Sequence, residues 1–328
     1  MIIDVHNHYY PPEYLAALDR LGSAIRITYD ADGNPLVHYP GDYNILVRGH
    51  RDMAYRNSVL DEEGVDVQVI SLTTPGTHIE TPQTAAALAT ITNDAFARVR
   101  DDYDGRFIPL ATLPLCDPKA SLAEFERAVN TLRFPGAMLF SNVNGIGLDD
   151  ERFWPIYEAA NDRDSVLMIH PTYPVGVEAM KEYWLMPLNG FLFDTTLAAS
   201  KLVFSGVAKR YPRIRWILGH LGGTIPYLAE RLDRGYRAFA DCRKHIDEPP
   251  TAYLRRQFYY DTVNFAQGPL KLAIEFAGAD HVLAGSDYPH QIGSIPLMLE
   301  AIRALAITEP EREGILGGNA QALLGLSR

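Results

Sequence analysis

Short apolar segments rich in β-branched and aromatic residues alternate with longer amphipathic segments along this chain. Such alternation predicts βαβ units, in which a helix connects two parallel strands. The helical pattern is clearest in "TPQTAAALATITNDAFARVR" and "SLAEFERAVNTL". Eight units of this kind predict an α/β fold of the (β/α)8 TIM-barrel type. The eight predicted strands cover residues 2–6, 66–72, 107–113, 136–140, 165–169, 214–219, 257–262 and 281–285.

One segment after the first strand interrupts this alternation. The stretch "IRITYDADGNPLVHY" predicts two antiparallel strands, with Asp32 and Gly33 at the turn between them. An antiparallel hairpin does not belong inside a βαβ unit. We therefore interpret residues 21–48 as an inserted hairpin over the C-terminal mouth of the barrel, acting as a lid or a dimer contact. No repeat or linker interrupts the chain, so residues 1–328 are predicted to form a single metal-dependent barrel domain.

The charge and cysteine content exclude several classes of protein. The formal net charge of -11 argues against nucleic acid or an anionic membrane as the main partner. Two cysteines far apart support neither a disulfide framework nor a cysteine zinc site. The N-terminus lacks the pattern of a signal peptide, and no segment has the length of a membrane span. We therefore expect a cytoplasmic protein, which needs a local cluster of basic residues to hold an anionic substrate.

Histidines and one aspartate occupy the predicted strand ends. His6 and His8 lie two residues apart, so the alternation of a strand directs both imidazoles to one side. The C-terminal ends of barrel strands open onto one shared face, where catalytic residues gather. Neutral imidazoles with a carboxylate suit zinc or another first-row divalent ion. The residues that this pattern brings together are His6, His8, His170, His220 and Asp287.

Each of these residues has a plainer explanation when it is taken alone. His170 fits a buried core histidine, and Asp287 fits the N-cap of the last helix. Considered jointly, their positions favour a metal site. The remaining histidines in loops or at segment starts are expected on the surface; they are His38, His78, His245 and His281.

The motifs "DVHNH", "HP" after a strand, "LGHLGG" with "PYLAERLDR", and "GSDYP" occur here in an order that resembles the amidohydrolase superfamily. The resemblance is greatest to its branch named for aminocarboxymuconate-semialdehyde decarboxylase, and it covers essentially the whole chain. It implies a (β/α)8 barrel, a homodimer and one divalent ion, Zn²⁺ with Mn²⁺ as the alternative. Under this resemblance His220 is the acid–base histidine, and the metal ligands are His6, His8, His170 and Asp287.

Three positions refine the resemblance. The fourth strand, "GAMLFSN", lacks the lysine that is carbamylated in binuclear members, so a single metal is expected. His6 stands where the resorcylate-decarboxylase branch typically has glutamate, which favours the aminocarboxymuconate type. Thr172 follows "HP" where that type has tryptophan, so the resemblance leaves the identity of the substrate open.

The resemblance implies a metal-dependent carbon–carbon lyase that decarboxylates a small unsaturated or aromatic acid, with His220 and Asp287 as catalytic residues. A hydrolase or hydratase acting on a lactone, amide or activated alkene is the main alternative, because one fold supports all of these reactions. A metal-binding protein without turnover is the third. The candidate substrate-binding residues are Arg48, Arg51, Arg231 and His290. The arginines are equally well explained as solvated helix residues.

Overall fold

The computed structural model describes residues 1–39 and 42–326. Residues 40–41 of the predicted insertion and 327–328 of the predicted domain lie outside these ranges. The strands of the described part are β1 (Ile3–His8), β2 (Arg26–Tyr29), β3 (Pro35–Tyr39), β4 (Asp42–Ile45), β5 (Val67–Ser71), β6 (Phe107–Pro109), β7 (Gly136–Phe140), β8 (Asn142–Val143), β9 (Ile146–Gly147), β10 (Val166–His170), β11 (Arg215–Leu218), β12 (Phe258–Asp261) and β13 (Val282–Leu283).

The helices lie between and after these strands. They are α1 (Pro12–Arg20), α2 (Arg48–Arg51), α3 (Met53–Glu63), α4 (Pro82–Asp102), α5 (Pro118–Asn130), α6 (Trp154–Asp162), α7 (Phe191–Phe204), α8 (Val207–Arg210), α9 (Ile225–Ala238), α10 (Pro250–Arg256), α11 (Gln267–Ala277), α12 (Ile295–Arg303), α13 (Glu309–Glu313) and α14 (Asn319–Leu324).

Each of the eight segments predicted as strands contains a strand that pairs in parallel. One sheet has the order β1-β5-β6, and a second has the order β13-β12-β11-β10-β7. Two isolated parallel bridges, Asn7 with Tyr288 and Ala111 with Ala137, connect the sheets at both ends. The α/β fold with parallel sheets is therefore confirmed.

The strands are buried as apolar runs because helices pack against the sheets. β7 and β10 are buried at every position, which is typical of parallel strands with both faces covered. α4 shows how the sequence builds this cover. Thr81 accepts a hydrogen bond from the Thr84 backbone and caps the helix, and Leu88, Thr92 and Phe96 recur on its buried face.

The segment between α1 and α2 forms a separate antiparallel sheet, β2-β3-β4. Asp30 shapes the turn between β2 and β3, because its carboxylate accepts hydrogen bonds from the backbone N–H groups of Asp32 and Asn34. Gly33 in this turn has φ +79°, a conformation that glycine adopts without steric cost. The structure adds β4 to the two strands that the sequence predicts.

In the described part of the chain, no helix combines the length and the apolar character that crossing a membrane requires.

Candidate metal centre

His6 and His8 both lie within β1, which continues two residues beyond the predicted end of the strand. Both side chains are fully buried, and their Nε2 atoms are 3.2 Å apart. The two imidazoles thus meet at one point, as the alternation of the strand predicts.

Two further groups reach the same point from other strands. His170 is the last residue of β10, and its ring centre lies 5.2 Å from that of His6 and 4.7 Å from that of His8. Asp287 follows β13, and its Oδ1 lies 3.5 Å from His6 Nε2 and 3.3 Å from His8 Nε2. The carboxyl ends of β1, β10 and β13 therefore present three imidazoles and one carboxylate to a shared volume.

His220 belongs to this cluster too. One ligand atom from each of His6, His170, His220 and Asp287 lies within 4.8 Å of all the others, and an overlapping group joins His8, Asp287 and His290. The Nε2 of His220 is 3.8 Å from Asp287 Oδ2. His220 is thus as close to the predicted ligands as some of them are to one another, and its acid–base role stays a prediction.

The backbone is in the left-handed region where it presents two of these side chains. His220, Leu221 and Asp287 have φ of 53°, 58° and 57°. For residues other than glycine this conformation costs roughly 1–2 kcal/mol each, and such costs concentrate at functional sites. The Asp287 amide donates to the His6 carbonyl at 2.8 Å, which connects the strained turn directly to β1.

Asp261, at the end of β12, is a site residue that the sequence analysis did not single out. Its Oδ2 lies 2.5 Å from His6 Nδ1. The same carboxylate accepts hydrogen bonds from the backbone N–H groups of His220 and Leu221, at 2.9 and 2.8 Å. One buried carboxylate therefore orients the first histidine of the cluster and stabilises the left-handed turn that carries another. The local signal in the sequence was its place one residue before the end of the predicted strand 257–262.

The hydrogen bonds around the cluster leave its Nε2 atoms ready to bind a cation. His6 Nδ1 contacts Asp261, and His170 Nδ1 lies 2.7 Å from the Pro171 carbonyl. Both partners are oxygen atoms that accept a hydrogen bond from Nδ1–H, so the lone pair of each imidazole is on Nε2. Among the described residues, His170 Nε2 and Asp287 Oδ1 have no hydrogen-bond partner although both are buried. Converging lone pairs beside a carboxylate fit a divalent metal ion.

The ionisation of His8, His170 and Asp287 agrees with this fit, whereas the pKa of His6 is raised because the attraction of the Asp261 carboxylate outweighs burial. Burial places the pKa of His8 and that of His170 well below the ordinary histidine value, so both are neutral near pH 7. Burial alone would raise the pKa of Asp287, but the neighbouring imidazoles of His220, His8 and His6 outweigh it and hold that pKa well below its usual range. Neutral imidazoles and an ionised carboxylate are the forms that bind metals.

A buried arginine behind the cluster was also missed. Arg56 on α3 is fully buried, and it donates to the side chains of Asn7 and Gln68 at 2.9 and 2.8 Å and to the backbone carbonyl of His8. Burial lowers the pKa of Arg56 to about 10, which still leaves it charged at neutral pH. Its hydrogen bonds fix β1 between the two histidines, which makes Arg56 a positioning residue.

A cavity of about 170 Å³ opens above this cluster. Its floor contains His170, His220, Asp287 and His290. The antiparallel sheet contributes to its wall, and Asn44 anchors that sheet by donating to the Thr74 carbonyl at 2.6 Å. The other lining residues are Tyr39, Tyr43, Asn44, Ile45, Thr73, Thr74, Trp184, Pro187, Leu188, Phe191, Gln291 and Ile292.

The four candidate substrate-binding residues differ in their placement. His290 lines the cavity, with its ring centre 5.0 Å from that of His8. Arg48 is largely exposed and its Nε donates to Asp52 at 2.8 Å. Arg51 donates to the Leu46 carbonyl, and Arg231 is exposed on α9. The structure thus brings His290 to the site, whereas the three arginines do not line this cavity.

Of the histidines expected on the surface, His78 is buried, so the expectation is wrong for this residue. The loop that carries His78 folds inward, where its imidazole packs 4.5 Å from the ring of Phe140 and its carbonyl accepts a hydrogen bond from Asn144. Loops lack the periodicity from which burial is predicted. His38 and His281 are half-buried, and His245 is exposed.

Comparison with known proteins connects this geometry to a family. The chain is 34% identical to 2-amino-3-carboxymuconate-6-semialdehyde decarboxylase of Dictyostelium discoideum, over 99% of this chain and 91% of that protein. It is 34% identical to 6-methylsalicylic acid decarboxylase of Penicillium expansum, over 88% and 85%. A dihydroxybenzoic acid decarboxylase from Polaromonas sp. JS666, solved with manganese and 2-nitroresorcinol, matches with a TM-score of 0.83 and 27% identity, over 100% and 97%.

The family model described as "Amidohydrolase" matches residues 3–326. This match spans the described β1 and the elements that carry His170, His220 and Asp287. The resemblance read from the motifs is thereby confirmed, and the chain belongs to the amidohydrolase family.

Proposed function

We propose that this protein is a metal-dependent non-oxidative decarboxylase of a small aromatic or unsaturated carboxylic acid. The observation that carries the proposal is the whole-chain similarity to decarboxylases, in a chain that buries a histidine–aspartate cluster beneath a cavity. The cavity of about 170 Å³ suits a small molecule of this size class rather than a polymer.

The two parallel sheets form a closed (β/α)8 barrel in this proposal. The bridges between Asn7 and Tyr288 and between Ala111 and Ala137 support closure. So does the hydrogen bond of 2.8 Å from the Val5 amide to the Ala284 carbonyl, which connects β1 to the strand end before Asp287. Closure would direct the carboxyl ends of all eight strands to one face, the usual location of an active site in this fold.

One divalent ion would be held by His6, His8, His170 and Asp287. The imidazole-rich donor set favours Zn²⁺, whereas the manganese in the Polaromonas relative makes Mn²⁺ the alternative. When bound, the ion supplies positive charge that attracts the substrate carboxylate and an adjacent oxygen. Elemental analysis of the purified protein tests the stoichiometry, and two tightly held ions per chain would contradict a single site.

The chain's own residues perform the proton transfer. His220 carries a proton on its imidazole and delivers it to the ring carbon that bears the carboxylate. That carbon becomes tetrahedral, the bond to the carboxylate breaks, and its electron pair returns to the ring as CO2 leaves. Asp287, whose Oδ2 lies 3.8 Å from His220 Nε2, keeps the imidazole oriented.

The walls of the cavity assist when a bound substrate covers them and displaces water. Trp184, Leu188, Phe191 and Ile292 surround the volume above the cluster with apolar surface. A dry site strengthens the attraction between the substrate carboxylate and positive charge at the floor.

The protein forms a homodimer in this proposal. Large apolar side chains are exposed on two adjacent helices: Phe193 at 53% and Leu197 at 47% on α7, and Tyr227 at 79% on α9. Contiguous exposed apolar surface marks interaction sites in stable proteins. Light scattering at micromolar concentration tests the dimer, and a fully active monomer would contradict it.

The reaction is tested by loading the protein with Zn²⁺ or Mn²⁺ and offering hydroxybenzoic acids, unsaturated acids, lactones and amides. We expect CO2 and the decarboxylated product from at least one acid. If lactones or amides are hydrolysed while no acid in the panel releases CO2, the hydrolase alternative replaces this proposal.

A further inference from the structure

The charge in the active-site cavity is concentrated at one end. We infer that the substrate is a monocarboxylic acid, whose one carboxylate lies at the His170–His220–Asp287 floor and whose remaining atoms are uncharged. The inference rests on the proposed decarboxylase function and narrows its substrate class.

The part of the cavity opposite the floor is apolar. We call it the apolar wall; it consists of Ile45, Trp184, Pro187, Leu188, Phe191 and Ile292. The polar members of the lining outside the floor carry only amides and hydroxyls, as in Asn44, Thr73 and Gln291. Within residues 1–39 and 42–326, neither lysine nor arginine lines this cavity. A second carboxylate on the substrate would therefore meet no fixed positive charge.

Basic residues near the wall and floor already have partners. Arg48, which follows the wall residue Ile45 by three positions, pairs with Asp52. Arg56 is behind β1 and hydrogen-bonds to Asn7, Gln68 and the backbone of His8. Lys181, in the segment before Trp184, pairs with Glu178. The net charge of -11 adds no general attraction for a dianion. Among the described residues of one chain, the positive charge available to a substrate anion is thus confined to the metal site.

A carboxylate that leaves water for an apolar surface loses its hydration without replacement. Burying a polar group without a partner is unfavourable, and burying a charged group is more so. We therefore expect at least about tenfold weaker binding of a dicarboxylate, which corresponds to about 1.4 kcal/mol. Uncharged substituents such as hydroxyl, methyl or methoxy avoid this cost. Selection against dicarboxylates therefore arises from the wall and needs no steric block.

Two unreactive analogues test the inference through binding alone. Neither has the ring hydroxyl that activates decarboxylation: benzoate carries one carboxylate for the floor, and terephthalate adds a second carboxylate on the far side of the ring. Calorimetry on the Zn²⁺-loaded protein should show at least tenfold weaker binding of the second compound. A smaller difference, or tighter binding of the second compound, would overturn the inference. Neither result depends on CO2 release, so a failed decarboxylase assay remains distinguishable.

A positive charge placed in the apolar wall should favour the compound that carries the second carboxylate. Leu188 is 48% exposed, so Leu188→Arg is tolerated by the fold, and Leu188→Gln is the matched uncharged control. Thermal melting establishes that both variants fold. We expect Leu188→Arg to bind terephthalate at least tenfold more tightly than Leu188→Gln, with benzoate bound equally by both. Equal binding of terephthalate by the two folded variants would contradict an uncharged wall as the cause.

Discussion

The floor and the mouth of the active-site cavity are built on different principles. Directly beneath the floor, His6 and Asp261 are fully buried near the carboxyl ends of β1 and β12, and the hydrogen bond between them determines their orientation. At the mouth, opposite the floor, three residues of the apolar wall come from segments that follow β10 and β13. They are Trp184, Leu188 and Ile292, which are 55%, 48% and 59% exposed. The strands and the turns that directly follow them thus hold the residues proposed for the chemistry, while the longer connections hold those proposed for substrate selectivity. Loops tolerate change because few contacts constrain them.

The same division explains how much could be predicted from sequence. His6, His8, His170 and Asp287 were found because strand periodicity and strand ends are local features. Asp261 was missed because its partner His6 is 255 positions away, and no local pattern reports such a contact. The parallel α/β fold followed from the alternation of segments.

The mouth was harder to predict. Arg48 and Arg51 were candidates because of their charge. The charge of a residue does not show where its side chain points, and Arg48 points to Asp52 and not to the cavity. Trp184 and Leu188 lie in a segment without strand or helix periodicity before α7, so nothing local marked them as cavity residues.

The largest effect is expected from the floor. His170→Ala removes an Nε2 atom that has no other partner in the described structure, so bound metal and decarboxylation should be lost together. Elemental analysis and CO2 release measure the two losses. His245→Ala, at an exposed histidine, is the matched control and should keep both. A metal-replete, active His170→Ala variant would show that the floor is not a metal site.

His220→Ala should separate metal binding from catalysis. Positioned acid–base groups contribute roughly 10²–10⁴-fold in rate, so we expect kcat to fall at least about a hundredfold while metal content stays near that of the wild type. Steady-state kinetics with parallel metal analysis measures this. A metal-free variant would make His220 a ligand, and a metal-replete variant with near wild-type kcat would remove its catalytic role.

Asp261→Asn tests whether the Asp261 carboxylate orients His6 for metal binding. The amide keeps the shape of the side chain but removes the charge that faces His6 Nδ1. Mutation of a residue that hydrogen-bonds to a metal ligand typically lowers metal affinity about 10–100-fold. We expect a loss in that range, measured by chelator competition. Asp233→Asn is the control, because Asp233 bonds only Thr251 in α10 among the described residues. Unchanged metal affinity in Asp261→Asn would deny it a positioning role.

At the mouth, Trp184→Ala should act on KM more than on kcat. The indole borders the cavity, and its removal takes away apolar contact worth about 1 kcal/mol, or roughly fivefold in KM. Tyr183→Ala is the control, because Tyr183 is 80% exposed and does not line this cavity among the described residues. A loss in kcat comparable to that of His220→Ala would give Trp184 a catalytic role, and the mouth would then contribute to catalysis as the floor does.

Arg48→Ala should have the smallest effect, and it tests the boundary of the mouth. The side chain is 64% exposed and bonds Asp52 at 2.8 Å, and its guanidinium lies 4.7 Å from the centre of the Tyr55 ring. A surface pair of this kind contributes about 0–1 kcal/mol to stability, so melting should change little. Because Arg48 is directed along α2 and α3 and does not line the cavity, KM for an active acid should stay within about twofold of wild type, the scale of a surface pair. A rise in KM of tenfold or more would mean that Arg48 swings over the cavity and binds the substrate, and the mouth would then contribute charge as well as apolar surface.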